Sequence, residues 1–157
     1  MDFIEREFQC GKIRPEHFET RRKSGAVMSL YISMLRNCNA KDWVTGTSLD
    51  GNVIGHNAEL QIHHFFPSDL LNSRGYRIDE INTFANYTII NKETNLEISN
   101  KEPILYLRNR SIKKKHLAGQ CIPTHDRSLL TADYYENFLE TRRHLLAKKA
   151  NEYLNGR

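Results

Sequence analysis

The sequence lacks several features that define common classes of protein. Its 157 residues contain no apolar run of about 18 residues, so the chain has no candidate membrane span and no membrane partner is expected. The N-terminal decapeptide MDFIEREFQC has no signal-peptide core. The only cysteines are Cys10, Cys38 and Cys121, with no CxxC pair, which argues against a disulfide framework and a zinc ribbon. We therefore predict a cytoplasmic protein.

Charge is unevenly distributed along the chain. Residues 41–107 contain five Lys/Arg and nine Asp/Glu, whereas residues 108–157 contain eleven and five. This asymmetry is consistent with basic flanks that bind a polyanion across the less basic central segment. Solvated helix faces explain it equally well. The length and ordinary hydrophobic content predict one domain over residues 1–157.

Two helical regions flank a mixed centre. Val27, Leu30, Tyr31, Met34 and Leu35 follow the i, i+3, i+4 spacing of one helical face, in a helix that can break near residues 24–25. A long C-terminal helix after Thr131 has an inner side that we predict to consist of Tyr135, Phe138, Leu139, Arg142, Leu145 and Leu146. Between these regions we predict a strand at 59–63, a helical insert that includes a helix over 77–86, a strand at 87–90 and a short helix at 92–99.

The stretch QIHHFFP at 61–67 holds the candidate chemistry. Neighbouring strand residues point to opposite faces, so aiming His63 and His64 at one site requires the chain to turn there. The candidate partners downstream are Asn86, just before the second strand, and Asn95, inside the short helix. Imidazole takes up protons near neutral pH, and it also binds metals, so both roles are open.

These residues carry a resemblance to a known family. The segments HHFFP, AN before the strand YTII, and ETN in the following helix resemble the HNH (ββα-metal, His-Me finger) endonucleases. The longer string from LQIHHFFPSDLL to NKEPILYL, with AKDW upstream and YYENFLETRRHLLAKKANEYL downstream, is similar to the C-terminal nuclease domain of GmrSD-type restriction and phage-defence proteins. The similarity spans roughly residues 27–155. It implies an α+β fold with a small ββα-metal centre at about 59–99, embedded in helical flanks at 13–36 and 103–155.

The resemblance also implies roles for individual residues. His64 matches the general base that deprotonates the attacking water, and His63 matches a ligand of one divalent ion. Asn95 matches the last residue of the signature and is the implied second protein ligand, while Asn86 matches the residue that orients the His64 ring. The implied cofactor is Mg²⁺ as first choice, with Mn²⁺ as the alternative, because an oxygen-rich shell completed by water and phosphate suits hard cations.

The expected partner is DNA, either phage DNA or modified DNA. Lys101, after the short helix, and Lys113, Lys114 and Lys115 are candidate backbone contacts, although the lysine run can equally be a solvated face. The insert of 21 residues between His64 and Asn86 leaves the strand pairing open. A nucleotide-dependent domain, usual in this family, is not among these residues, so a partner domain or subunit of that kind is also expected.

The sequence thus favours a metal-dependent HNH endonuclease that hydrolyses DNA within a restriction or anti-phage system. A toxin-like nonspecific DNase or RNase is the alternative enzyme. A non-catalytic DNA-binding module on a degenerate nuclease scaffold is the alternative from another class. Retention of both histidines together with both asparagines argues against degeneration.

Overall fold

A computed structural model of the chain describes residues 11–50, 60–108 and 112–156. The elements, in chain order, are a 3-10 turn at Pro15–Glu19, helix α1 at Ala26–Asn37, strand β1 at Leu60–His64, α2 at Ser68–Ser73, α3 at Ile78–Ile81, a 3-10 turn at Phe84–Asn86, strand β2 at Tyr87–Asn91, α4 at Lys92–Ile98, α5 at Pro103–Arg108, α6 at Lys114–Gly119, 3-10 turns at Arg127–Leu130 and Ala132–Tyr134, and the long α7 at Tyr135–Asn155. The described residues thus combine many helices with one small sheet, which confirms the predicted α+β class.

The sheet consists of β1 and β2 in antiparallel pairing. The register runs from Leu60 opposite Asn91 to His64 opposite Tyr87. Helix α4 follows β2 without a loop, because the Asn91 side chain accepts a hydrogen bond from Thr94 N at 2.8 Å and so caps the new helix. Both strands and the short helix thus lie close to their predicted positions, although residue 59, the first of the predicted strand, lies outside the described residues.

Side chains form hydrogen bonds with the backbone groups on the outer edge of β2. Gln120 pairs with the backbone of Ile89 like a short strand, since its Oε1 accepts from Ile89 N at 3.0 Å and its Nε2 donates to Ile89 O at 2.8 Å. Asp42 Oδ2 accepts from Asn91 N at 2.9 Å. All residues of β2 are buried, so leaving these groups unpaired would cost free energy, and the two side chains avoid that cost.

The sheet separates two hydrophobic cores. Leu60, Tyr87 and Ile89 pack into one core with α1, whereas Ile90 belongs to the other, aromatic core with Trp43, Phe65, Phe66 and Phe138. Helix α7 contributes to both cores. Its predicted inner side is confirmed, with Leu145 half-buried and the other five residues buried.

Arg142 lies fully buried in the middle of α7. Its guanidinium donates to Ala85 O at 2.7 Å, to Gln120 O at 3.2 Å and to the Tyr31 hydroxyl at 3.3 Å. These neutral acceptors join α7 to α1 and to the residue that closes the sheet edge. Arg142 therefore joins the helical flanks to the sheet.

The helical regions are more interrupted than predicted. The flank predicted over 13–36 consists of a 3-10 turn and α1, separated by a loop over residues 20–25 in which Gly25 has a φ of +89°. The helix predicted over 77–86 splits at residues 82–83, and the flank over 103–155 is divided among several helices and turns. None of the helices in the described ranges is both long enough and apolar enough to span a membrane.

Candidate active site

His63 and His64 occupy the last two positions of β1. Both remain in the strand ladder, opposite Thr88 and Tyr87, so the turn expected at the pair follows His64 instead. Their rings consequently point to opposite faces of the strand, with centroids 6.4 Å apart and planes inclined at 70°. The two imidazoles therefore lie in different environments.

The His64 ring is held by a hydrogen bond and by an aromatic contact. Its Nε2 lies 2.8 Å from Asn82 Oδ1, and its ring lies 5.2 Å from the Tyr87 ring, centroid to centroid. A carboxamide oxygen only accepts, so this bond requires the hydrogen on Nε2, and the neutral ring then has its lone pair on Nδ1. Burial lowers the pKa of His64, the Asn82 bond raises it and the charge of Lys23 lowers it further, with a net decrease. At neutral pH the ring is thus a neutral proton acceptor.

The His63 ring has a buried nitrogen without a partner. No hydrogen-bonding group among the described residues reaches its Nε2. Burial, followed by the charges of His64 and Lys23, lowers the pKa of His63 to about 4, so the ring is neutral and its lone pair is available. A buried polar atom without a partner is costly, and a bound ligand or water can supply that partner.

Asn95 lies on the same side of the sheet as His63. Its Nδ2 donates to Gln61 Oε1 at 2.8 Å, and Gln61 shares a strand face with His63 because it lies two residues earlier. This contact uses the amide nitrogen of Asn95, so its Oδ1 is the atom available to a cation. Buried Asp42 fixes the start of the same helix, accepting from Thr94 Oγ1 at 2.6 Å in addition to Asn91 N.

Asn86 holds the turn that follows His64. It is fully buried, and its Oδ1 accepts from Phe66 N at 2.8 Å while its Nδ2 donates to Phe66 O at 3.1 Å and to Ile81 O at 3.2 Å. Its backbone carbonyl accepts from Phe65 N at 2.7 Å. These bonds reach the backbone rather than an imidazole, so Asn86 affects His64 through the position of the chain.

The donor set fits a weakly held hard cation. The described ranges contain no cluster of three or more His, Cys, Asp or Glu that could hold a metal. What they offer is the unpartnered Nε2 of His63 and the amide oxygen of Asn95, both neutral. Such a set fits Mg²⁺ or Mn²⁺ with water and phosphate oxygens as the other ligands, and it does not fit a closed zinc site.

The four predicted DNA-binding lysines are exposed and lie apart from the histidines. Lys101 follows α4, and Lys113, Lys114 and Lys115 lie at the start of α6. No contact in the described structure joins any of them to His63 or His64. Lys114 instead lies with Arg108 and Arg127 around an apolar groove of about 220 Å³ between α5 and α6.

Two residues near the histidines carry no sequence signal. Asn82 lies at the end of α3, 18 residues from the histidine it contacts, and it resembles any other helix-terminal asparagine. Lys23 belongs to the loop before α1, and its Nζ lies 4.9 Å from the centroid of the Tyr87 ring. Both reach the site through tertiary structure, so no local spacing could have identified them.

Comparison with protein families identifies the family of this chain. Residues 16–149 match the family described as GmrSD restriction endonucleases, C-terminal domain. The chain belongs to this family. Membership in the GmrSD C-terminal domain family confirms the predicted relationship and supports a restriction-type endonuclease, for which DNA is the implied substrate. Searches of curated proteins and of solved structures found no match.

Proposed function

We propose that this GmrSD C-terminal domain is a metal-dependent HNH endonuclease that hydrolyses DNA phosphodiester bonds within a restriction or anti-phage system. The observation that carries the proposal is the contrast between the paired histidines, one imidazole anchored and the other with an unpartnered buried nitrogen. The ring centroids of the proposed proton acceptor and the proposed cation ligand lie 6.4 Å apart at the end of β1. The order β1, β2, α4, with Asn95 in the helix, supports a ββα-metal centre.

His64 is the proposed general base. A water oxygen attacks phosphorus, its proton moves to Nδ1 of His64, and the bond from phosphorus to the leaving oxygen breaks. The lowered pKa keeps His64 neutral at neutral pH, as a base must be before the reaction. Asn82 fixes the tautomer of the ring through Nε2, and Asn86 fixes the turn that directly follows His64.

His63 Nε2 and Asn95 Oδ1 are the proposed protein ligands of one divalent cation, with Mg²⁺ as first choice and Mn²⁺ as the alternative. When bound, such a cation stabilises the negative charge that develops on the phosphate oxygens. Both ligands are neutral and few, so we expect weak binding that becomes stronger when DNA supplies phosphate oxygens. A cation would also satisfy the buried nitrogen of His63.

A plasmid-nicking assay tests the proposal. Supercoiled DNA is incubated with the protein in Mg²⁺, in Mn²⁺ and in EDTA, and single-stranded RNA is run in parallel. Cleavage of DNA that requires the cation is the expected result. DNA cleavage in EDTA at the same rate would contradict the metal dependence, and preferential RNA cleavage would favour the toxin-like alternative.

The proposed substrate in the cell is phage DNA or modified DNA. A nucleotide-dependent domain or subunit is the proposed partner that would control access to it. Lys101 and the lysines of α6 are the proposed additional contacts with the DNA backbone, because they are exposed and cationic.

A further inference from the structure

The loop before α1 is fastened to the start of β2. Thr20 O accepts a hydrogen bond from Phe84 N at 2.7 Å, and Arg21 O accepts one from the Tyr87 hydroxyl at 3.2 Å. Tyr87 is the residue opposite His64 in the strand ladder. These two bonds therefore hold residues 20–23 beside His64, although more than 40 residues separate them in sequence.

Lys23 and His64 share the Tyr87 ring. The Lys23 ammonium lies 4.9 Å from the ring centroid and the His64 ring lies 5.2 Å from it. No Asp or Glu within the described ranges forms an ion pair with Lys23. The ring orients the cation without neutralising it, which leaves its charge available to an anion. The same charge contributes to the lowered pKa values of both histidines.

An open cleft of about 320 Å³ lies at this position. Its lining consists of Arg21, Lys23, Ile78, Asp79, Asn82 and Tyr87. Asn82 and Tyr87 both contact His64, so the cleft lies next to the proposed base. Arg21 forms an ion pair with Asp79 at 3.2 Å at the protein surface, and a pair of that kind contributes little free energy and can exchange its partner for another anion.

We propose that Lys23, assisted by Arg21, binds a phosphate of the DNA strand next to the phosphate that is cleaved. An ammonium group binds phosphate as a point charge, and the cleft offers space for the sugar-phosphate chain. The inference rests on the proposed nuclease function and adds a substrate contact outside the residues that define the HNH resemblance. It assigns the loop before α1 to substrate binding.

Three variants test this subsite. Lys23→Gln removes the charge, Lys23→Arg retains it, and Lys148→Gln makes the same charge change at an exposed position of α7. Binding to a duplex oligonucleotide in EDTA, where cleavage does not interfere, is measured by fluorescence anisotropy over a range of salt concentrations. We expect Lys23→Gln to weaken binding about 5–10-fold at low salt and to reduce the slope of log K against log salt by about 0.9, the value for one phosphate contact. Lys23→Arg and Lys148→Gln should retain the wild-type slope.

Steady-state cleavage distinguishes binding from an effect on His64. We expect Lys23→Gln to raise KM with kcat within about threefold of wild type. A fall in kcat with unchanged DNA binding would overturn the subsite, because the charge would then act only on the histidines. The subsite would also be wrong if Lys23→Gln bound and cleaved DNA like wild type. It would be wrong as well if Lys23→Gln failed to fold and Lys23→Arg, which retains the charge, failed to bind DNA.

The subsite and the nuclease proposal can fail separately. If wild-type protein cleaves DNA and Lys23→Gln binds and cleaves equally well, the subsite is wrong and the nuclease stands. If wild-type protein never cleaves DNA but Lys23→Gln weakens binding with the lower salt slope, the nuclease proposal is wrong and the phosphate contact stands.

Discussion

The two faces of β1 give their histidine side chains different surroundings. On one face His64 is anchored through Nε2 by Asn82 and borders an open, cationic cleft. On the other face the Nε2 of His63 is buried without a partner in the described structure, and the nearby polar contact joins Gln61 to Asn95. The difference shows how a strand can place two adjacent imidazoles in two environments, one ring anchored by the protein and the other with a buried nitrogen that no described residue contacts through a hydrogen bond.

The largest expected effect separates the two histidines directly. His64→Ala should lower the cleavage rate by about 10²–10⁴-fold, the usual contribution of a general base, with metal affinity retained. His63→Ala should lose metal affinity, and excess Mn²⁺ should restore part of the cleavage because Mn²⁺ binds mixed nitrogen and oxygen ligands more strongly than Mg²⁺. Calorimetric metal titration in the presence of uncleavable DNA, combined with cleavage rates, provides the measurement.

Loss of metal affinity in His64→Ala with retention in His63→Ala would mean that the two roles are reversed. If neither variant changed metal binding, the HNH interpretation of this strand would be wrong. Thermal unfolding of both variants serves as the control for folding.

The next effect concerns the turn that positions His64. Asn86→Ala leaves the backbone groups of Phe66 and Ile81 without their side-chain partner, so we expect the free energy of unfolding to fall by about 2–3 kcal/mol and cleavage to be lost. Urea denaturation compares it with Asn137→Ala, an exposed position on α7, where a change within about 0.5 kcal/mol is expected. Equal stability of the two variants would remove the structural role of Asn86.

A third prediction uses the pKa of His63. Its pKa is about 4 in the folded protein and 6.5 ordinarily, so between these values the unfolded chain binds a proton that the folded chain does not. Stability should therefore fall as the pH decreases through this window, by about 2 kcal/mol between pH 7.5 and pH 5.

The measurement for His63 is urea denaturation in EDTA at both pH values, for wild type and for His63→Gln. The variant retains His64 and Lys23. Between pH 7.5 and pH 5 its free energy of unfolding should fall by about 2 kcal/mol less than that of wild type. An identical decrease in both proteins would show that His63 is not responsible.

The smallest effect tests the anchor of His64. Asn82→Ala removes one hydrogen bond, worth about 0.5–1.5 kcal/mol, so we expect cleavage to slow by up to about tenfold with little change in stability. Nitrogen-15 NMR of the imidazoles should show the His64 hydrogen on Nε2 in wild type and a mixture of tautomers in the variant. Asn72→Ala, at an exposed position of α2, is the control. A wild-type spectrum with the hydrogen on Nδ1 would contradict the assigned tautomer.

Much of the centre was predictable because its signals are local. Residue types typical of strands, such as the β-branched and aromatic YTII, placed both strands close to their observed positions, and the spacing of Asn91 and Thr94 matches a capped helix directly after β2. The helical boundaries around the centre were less predictable. The backbone carbonyls of Thr20 and Arg21, at the start of the loop over residues 20–25, bind Phe84 and Tyr87, and a tertiary competition of that kind leaves no trace in periodicity.

The sequence by itself determined the α+β class, a strand through His63 close to its observed position, and the family to which the chain belongs, because short-range patterns and a specific motif carry that information. Only the tertiary structure decided which imidazole is anchored and which has a nitrogen without a partner. It also decided that Asn82, Asp42 and Lys23 meet the site from three distant segments, and that Gln120 completes the edge of β2. The physical reason is that hydrogen bonds and charge contacts depend on distance in space, which the packing of α1, α4 and α7 around the sheet sets and separation along the chain does not.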